Sequence, residues 1–573
     1  MGFVINHQNN IMRLTTILFL LVVLSSPVVG QEATTPVKKT NEVERTYWDK
    51  QKKKVRSEGR YRTDGFSGIG LEEGEWKYWY ENGQMEGIIE FSKGQLNGRL
   101  IKYYENGKKM QEGWFKMGVQ DSLSSFWYNN GQLRESGSYI MGKKNGEWKY
   151  YNHTGKIILE ERHENGKEFV VNYWDRNGKQ TITSGNGKMF VYASDNLVKE
   201  EYTYKDGLRH GACYEKNALG RVIVQGEYNL GKKAGTWIFR YADGTKKREV
   251  SYKDDWMEGP FKEYMGGDSI LVQGTYKAGK KDGIWEWYFE NGTLDMKGGF
   301  ADDLQEGEWY FGYNNGKINY KGSFTAGKRE GKWEYYYPEG QAYMTGHFKN
   351  DVKHGPWITW FESGKKLSEG EFSEGKEQGV WTSWYDSGGT KDEGSFEKGL
   401  MNGVWKGWFP NGKLNYQGSY TMGHRSGHWT YYFSNGKKRD EGDFKVISRS
   451  KSLEKNSPNA SSYQESVRHG KWASFDERGE KTAEGSYYEG EMDGRWLFYQ
   501  PGEIMLAQEI NYKKGVLDGV SISYDKKGKK ISEINYKDGA PHGEYKTWDS
   551  KGNLSKHLIY KNGKVVKDKL PKK

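Results

Sequence analysis

Cysteine occurs once in the 573 residues and proline ten times. A single thiol closes no intramolecular disulfide, and eleven scattered histidines supply no zinc-ribbon spacing, so disulfide scaffolds and zinc modules are excluded and no metal site is expected. The 77 glycines follow no strict Gly-X-Y order, which excludes collagen. Aliphatic residues are thin too, a composition that by itself suits disorder. Against that stand 23 Trp, 42 Tyr and 23 Phe, each able to bury roughly 150–250 Å². A thin aromatic core replaces the usual aliphatic one. An excess of one charge is also lacking: 88 Lys+Arg against 77 Asp+Glu leave +11, a small, interleaved bias.

Only one long apolar run exists. It spans Leu14 to Leu24, follows Arg13, and leads through Ser25-Ser26-Pro27 to a small-residue exit at Val28-Val29-Gly30. Residues 1–30 therefore read as a secretory signal peptide, too short to span a bilayer, with Met12 an adequate start. The expectation is export to the periplasm, the outer-membrane surface or the extracellular space, where nucleic acid is no partner.

What is abundant is periodic. A glycine returns every 24 residues at Gly187, Gly211, Gly235, Gly259, Gly283, Gly307, Gly331, Gly355, Gly379, Gly403 and Gly427. The frame extends upstream through Gly74, Gly98, Ser122 and Gly146 and downstream through Gly470, Gly494, Gly519 and Gly543. Two residues after the glycine stands a tryptophan, as at Trp285, Trp309, Trp333, Trp357, Trp381, Trp405 and Trp429. An aromatic follows at offset six and a turn at offsets eight and nine, often Asn-Gly, as in Asn291-Gly292 and Asn411-Gly412. Asn-Gly predicts a two-residue type I′ hairpin turn, with positive φ at both residues. The return strand alternates and repeats a glycine at offset fifteen: Gly298, Gly322, Gly346, Gly370, Gly394 and Gly418. Glycine weakens a strand unless something needs the room, so an indole from a neighbouring strand is expected to lie over it.

Each unit is thus a β-hairpin joined by a GK-rich turn to the next, with about twenty units. The fold class is all-β: a single-layer, twisted, elongated antiparallel sheet in which each hairpin packs against its neighbours. The expected organisation is a signal peptide at 1–30, a flexible polar arm at 31–58, repeats at 59–186 that degenerate near 169–186, regular repeats at 187–446, a disordered insertion at 447–466, further repeats at 467–560 and a charged tail at 561–573. The degenerate stretch is expected to mark a kink between two sub-arrays, and the tail to cap an open sheet edge.

The pattern G-x-W-x-x-Y-Y-x-x-G followed by E-G-x-[YF], as in Gly427-His428-Trp429 through Asn435-Gly436 to Glu441-Gly442-Asp443-Phe444, resembles the MORN repeat. More closely, it is similar to the bacterial MORN-variant repeats often labelled YwqK-type antitoxins. The resemblance covers about Gly59 to Tyr560. It implies a sheet of consecutive hairpins and a role in scaffolding, self-association or binding of acidic lipid headgroups.

No P-loop or catalytic triad is present, and a single-layer sheet offers no deep pocket for paired carboxylates. The sequence therefore points to no enzyme and no cofactor. His210, His354, His469 and His542 each precede a repeat glycine and stand units apart, as turn residues. Cys213 replaces the tryptophan at offset two, as a small buried hydrophobe. Basic pairs such as Lys232-Lys233, Lys280-Lys281 and Lys328-Arg329 mark the joints, as a solvated rim or a stripe for polyanions.

The candidate site is the aromatic at offset five, whose parity is opposite to that of offsets two and six. Trp360, Trp384 and Trp408, flanked by Tyr336 and Tyr432, would form a row on the free face, unless a bulge turns them inward. Such a row suits a protein partner or self-association at the cell envelope. The alternatives are an envelope glycan or acidic lipid and, third, an antitoxin-like binding role.

Overall fold

The computed structural model describes residues 43–63, 70–193, 197–451 and 461–570. The expected signal peptide and the first part of the arm lie outside them. The described residues form 46 strands of one antiparallel sheet and no helix, so none is long and apolar enough to cross a membrane. Two compact units are distinguished: residues up to Tyr214 with Tyr228–Gly231, and Glu215–Glu227 with the chain from Lys232 onward.

In the second unit the repeat is regular. Lys328–Tyr336 pairs with Ala342–Lys349, which pairs in turn with Val352–Trp360. The tryptophan at offset two is the centre of each packing step. The Trp357 ring lies on Gly346, where a Cβ would fall 2.3 Å from the indole. Its Nε1 donates to His347 O at 3.3 Å. Phe348 and Phe372 meet the ring edge-on at 5.3 and 5.4 Å, and Lys353 Nζ covers its outer side at 4.4 Å from the ring centroid. The indole is thus held between a glycine and an ammonium and is 4% exposed, although only neighbouring strands supply the cover. The offset-fifteen glycines make the room that was expected of them. Edge-to-face aromatic pairs contribute about 0.5–1.5 kcal/mol each beyond area burial, and here they continue from Trp333 to Trp429 without a gap.

Trp357 reaches Gly346 because the ladder bulges there. Thr345 pairs with Ile358 and His347 with His354, so Gly346 opposes three residues, beginning with Gly355 at φ +66°. That conformation costs a side chain more than it costs glycine, which accounts for the 24-residue period.

The two turn types are placed opposite to the sequence expectation. At Asn291-Gly292 the Gly292 N–H donates to Phe289 O at 2.8 Å and the Phe289 N–H to Thr293 O at 2.9 Å. Only Gly292 has positive φ, +81°. This is a three-residue loop with glycine in the left-handed position. Asparagine is there for its side chain: Asn291 Oδ1 accepts from Thr293 N at 3.0 Å, while Nδ2 donates to Asn314 O in the next turn at 2.7 Å. Asn315 and Asn411 bond to Pro338 O and Ser434 O in the same way. The two-residue turns with positive φ at both positions are the inter-unit joints, such as Ala326 (+48°) and Gly327 (+79°). The residue before the repeat glycine caps that strained position, as Glu306 does for Ala326 N at 2.8 Å.

Three segments differ from expectation. The insertion was expected to be disordered, but Lys438–Lys451 and Ser461–Phe475 run as one long ladder from Lys445↔Val467 to Lys451↔Ser461, extending an inter-unit hairpin; residues 452–460 lie outside the described residues. The ladder closes over it: Asn435 Nδ2 bonds to Glu477 O across 42 residues where other turns span 23. Part of the polar arm is strand, since Glu44–Tyr47 pairs with Val55–Thr63 and Trp48 Nε1 donates to Trp79 O at 2.9 Å. In the charged tail, Lys564–Asp568 pairs with Leu554–Lys561 as one more exposed strand.

In the first unit the degenerate stretch 169–186 is not where the chain divides. Val170, Ile182, Met189 and Tyr204 form one buried aliphatic-rich cluster. The strand Gln180–Thr183 is short, and beyond its end Val170 N–H donates to Gly207 O at 2.9 Å. Where the frame holds without glycine, Ser122 keeps the left-handed conformation at φ +62°.

Candidate functional site

Within Gly379–Trp384 the pairing with Thr390–Glu397 is one-to-one from Gly379↔Phe396 to Ser383↔Asp392. Side chains therefore alternate, and Val380, Thr382 and Trp384 leave the face opposite Trp381. The bulge near the turn lies on the return strand: Thr359 pairs with Ser368 and Trp360 with Lys366, leaving Leu367 as the extra residue. The strand carrying Trp360 stays regular and is not turned inward.

Trp360, Trp384, Trp408, Tyr336 and Tyr432 are all half-buried on this second face. Their strands are every second one, so equivalent positions lie roughly 9.6 Å apart at ~4.8 Å per strand. Three of the five backbones are fixed from the preceding unit: Tyr313 OH donates to Tyr336 O, Tyr337 OH to Trp360 O and Tyr385 OH to Trp408 O, at 2.9, 2.9 and 2.7 Å. Where it is tyrosine, the aromatic at offset six is thereby a rivet between units.

The second face also carries a lysine and glutamate ladder that the sequence reading missed. A lysine at offset eleven bridges the glutamate three residues on, as in Lys246–Glu249, Lys366–Glu369, Lys438–Glu441, Lys481–Glu484 and Lys530–Glu533. The recurring K-x-x-E immediately before the offset-fifteen position is its signal. Lys366 Nζ also lies 5.7 Å from the Trp384 ring centroid, giving that aromatic a cation on one side. Elsewhere the carboxylate takes several donors. Glu286 accepts from Tyr288 OH at 2.8 Å and Gln273 Nε2 at 2.6 Å and pairs with Lys297 at 2.8 Å. The Lys297 and Tyr288 bonds hold its pKa at about 2.

Three adjacent units stand apart in their outer residues. Offset one shares parity with offset five, and there Val380 is 62% and Val404 56% exposed, beside Pro356. The flanking units carry Lys332 and His428 at that position. Pro356, Val380 and Val404 thus share the face of Trp360, Trp384 and Trp408, with Ile358, Thr382 and Lys406 between the two rows. Parity alone would have found these valines.

The other candidates are structural. Cys213 is buried, 3% exposed. Where it replaces tryptophan, Tyr202 replaces the offset-fifteen glycine. The basic joints are engaged: Lys281 and Lys353 cover indoles, Arg329 pairs with Asp351 at 2.9 Å, and burial lowers the Lys281 pKa. His469 and His542 accept weakly from Glu489 N and Asn562 N at the next joints.

The MORN repeat variant family model matches nine stretches: residues 72–93, 96–116, 144–165, 281–302, 329–350, 353–374, 401–421, 517–538 and 541–562. Among solved structures, the crystal structure of TcdB2-TccC3 is 10% identical over 89% of this chain and 28% of its own, with a TM-score of 0.12. A Photorhabdus luminescens Tc holotoxin pore is 9% identical over 89% of this chain and 32% of its own, also at 0.12. This chain spans less than a third of those chains, and at such TM-scores the likeness carries neither fold nor function across. No curated protein matches.

Proposed function

Because this chain is a MORN repeat protein, built of variant units and matched nine times along its length, we propose that it is an exported, non-enzymatic scaffold that binds a protein partner at the cell envelope. The observation that carries this reading is the row of half-buried Trp360, Trp384 and Trp408, which shares the face opposite the indole core with exposed Val380 and Val404. Contiguous exposed apolar surface marks interaction sites, and tryptophan dominates interface hot spots. Ion pairing within the face favours a protein over an acidic lipid. Lys366 and Lys438 are each matched to a glutamate, although Lys406 stands between Val404 and Trp408 on the same face. The signal-like segment ending at Gly30 supports export.

Pull-down from envelope fractions tests the reading. Full-length protein should retain one or a few proteins, and Trp360→Ser, Trp384→Ser and Trp408→Ser together should abolish retention while the far-UV spectrum persists. Equal retention by the triple variant, or retention of isolated peptidoglycan, lipopolysaccharide or liposomes in place of protein, rejects it. Export is tested separately by fusing Met12 to Gly30 to a reporter; cytosolic retention removes the envelope setting and favours the antitoxin-like role.

A further inference from the structure

At one place in the first unit the repeat carries titratable residues at three related positions at once. In a regular step the strands are joined so that Phe348 pairs with Lys353, Gly346 lies under Trp357, and Lys353 covers the indole. Between Ile157–Glu164 and Lys167–Trp174 the pairing starts alike at the turn, with His163 paired with Glu168 as Phe348 is with Lys353, but Glu161 then pairs directly with Val170 and the bulge shrinks to Val171. Glycine has become Glu161, the edge aromatic His163 and the covering lysine Glu168, and no tryptophan follows: Val170 stands at the repeat-glycine position and Asn172 at offset two. With no indole over the strand, the three substituted residues bring a carboxylate, an imidazole and a second carboxylate together.

We infer that Glu161, His163 and Glu168 form a binding site for one divalent transition-metal ion. One ligand atom from each residue can be chosen so that all lie within 4.8 Å of one another, and His163 Nε2 is 3.0 Å from Glu161 Oε2. Glu161 and His163 are two residues apart on one strand and share a face. Glu168 stands across from His163 after the two-residue turn Asn165-Gly166, so little chain entropy is lost in gathering them. Glu161 is 7% exposed, and a buried carboxylate beside a second one is costly unless a cation neutralises both. Lys144 does not fill that role alone: its Nζ donates to Tyr150 OH at 2.7 Å and is shared with Glu135 at 3.5 Å. Tyr150 OH in turn donates to Glu161 Oε2 at 2.7 Å, the kind of outer hydrogen bond that orients a metal ligand. One imidazole and two carboxylates suit Zn²⁺, Mn²⁺ or Fe²⁺ better than the all-oxygen shells of Ca²⁺ and Mg²⁺. The site does not depend on the scaffold reading.

The test is titration of the full chain, stripped with EDTA, by Co²⁺ followed in the visible spectrum. One equivalent should produce saturable ligand-field bands that one equivalent of Zn²⁺ removes. Glu168→Gln and His163→Ala should each weaken binding at least about tenfold, as loss of a ligand or its support does, while Glu164→Gln, which alternates to the other face, should not. Should His163→Ala misfold by circular dichroism, Glu168→Gln decides, because Glu168 is at an exposed strand start. Absence of saturable bands, undiminished binding by Glu168→Gln, or displacement of Co²⁺ by equimolar Ca²⁺ overturns the assignment.

Discussion

Trp357 and Gly346 are complementary in shape: a single Cβ on residue 346 would meet the indole at 2.3 Å. Several units that depart from one residue of this pair depart from the other, although Ser124 replaces the tryptophan opposite a retained Gly113. Leu100 pairs with Ile89, Ser521 stands beside Ile510, Tyr545 pairs with Ile534, and Cys213 goes with Tyr202. The volume is conserved across two strands, not at one position.

Gly346→Ile should therefore destabilise strongly, and Gly346→Ile with Trp357→Ser should recover much of the loss. A double-mutant cycle by chemical denaturation reads the coupling, expected at about 1–3 kcal/mol for residues in direct contact. Additive effects would contradict the pairing.

Trp357→Ala alone should cost about 3–5 kcal/mol, as truncation of other buried aromatics does. In a nearest-neighbour array the loss stays local. Hydrogen exchange should accelerate in Lys328–Ser373 and remain unchanged in distant hairpins; uniform acceleration would contradict the architecture.

Asn315→Asp keeps the acceptor for Lys317 N at 3.0 Å but removes the donor to Pro338 O at 2.9 Å. The expected cost is about 0.5–1.5 kcal/mol, that of one hydrogen bond. Asn315→Gly should also destabilise, because residue 315 does not occupy positive φ. A gain in melting temperature with glycine would restore the type I′ assignment.

Glu286 gives a pH signature. Its pKa of about 2 in the folded chain, set by Lys297 and Tyr288, is below the unfolded value of about 4.3. The folded state binds fewer protons, so the contribution is complete above the unfolded pKa and disappears as pH falls from about 4.3 to 2. Wild type should exceed Glu286→Gln in stability at neutral pH, and the difference should shrink through that window. A pH-independent difference would show that the charge is not responsible.

The repeat length, the antiparallel hairpins and the indole over glycine are legible because each is an interval between residues of one type. Turn chemistry is less so: Asn-Gly suits both turns, and the asparagine shows its use only when the next carbonyl is placed beside Nδ2. The lysine two residues before the repeat glycine reads as a solvated rim because its target ring belongs to another strand step. Half-burial of Trp360 depends on neighbouring side chains that parity does not specify. Glu161, His163 and Glu168 follow Gly146 at the same offsets at which Gly346, Phe348 and Lys353 follow Gly331, so their equivalence is legible, but that the three converge depends on the pairing of their strands.

The hairpin extended between Lys445 and Val467 has a consequence for how such a chain can acquire sequence. Trp472 still bonds to Asp443 O, now 29 residues back where Trp429 spans 10, so the core closes beneath the extra residues. The opposite rim is stitched by Asn, Lys and Tyr side chains that each count on a neighbour at a fixed interval, as Lys317 Nζ does with Glu339 O. The array thus has one rim open to grafting and one closed to it. New loops, epitopes or whole modules can accumulate at joints such as Ala326-Gly327, displayed in register along a single edge.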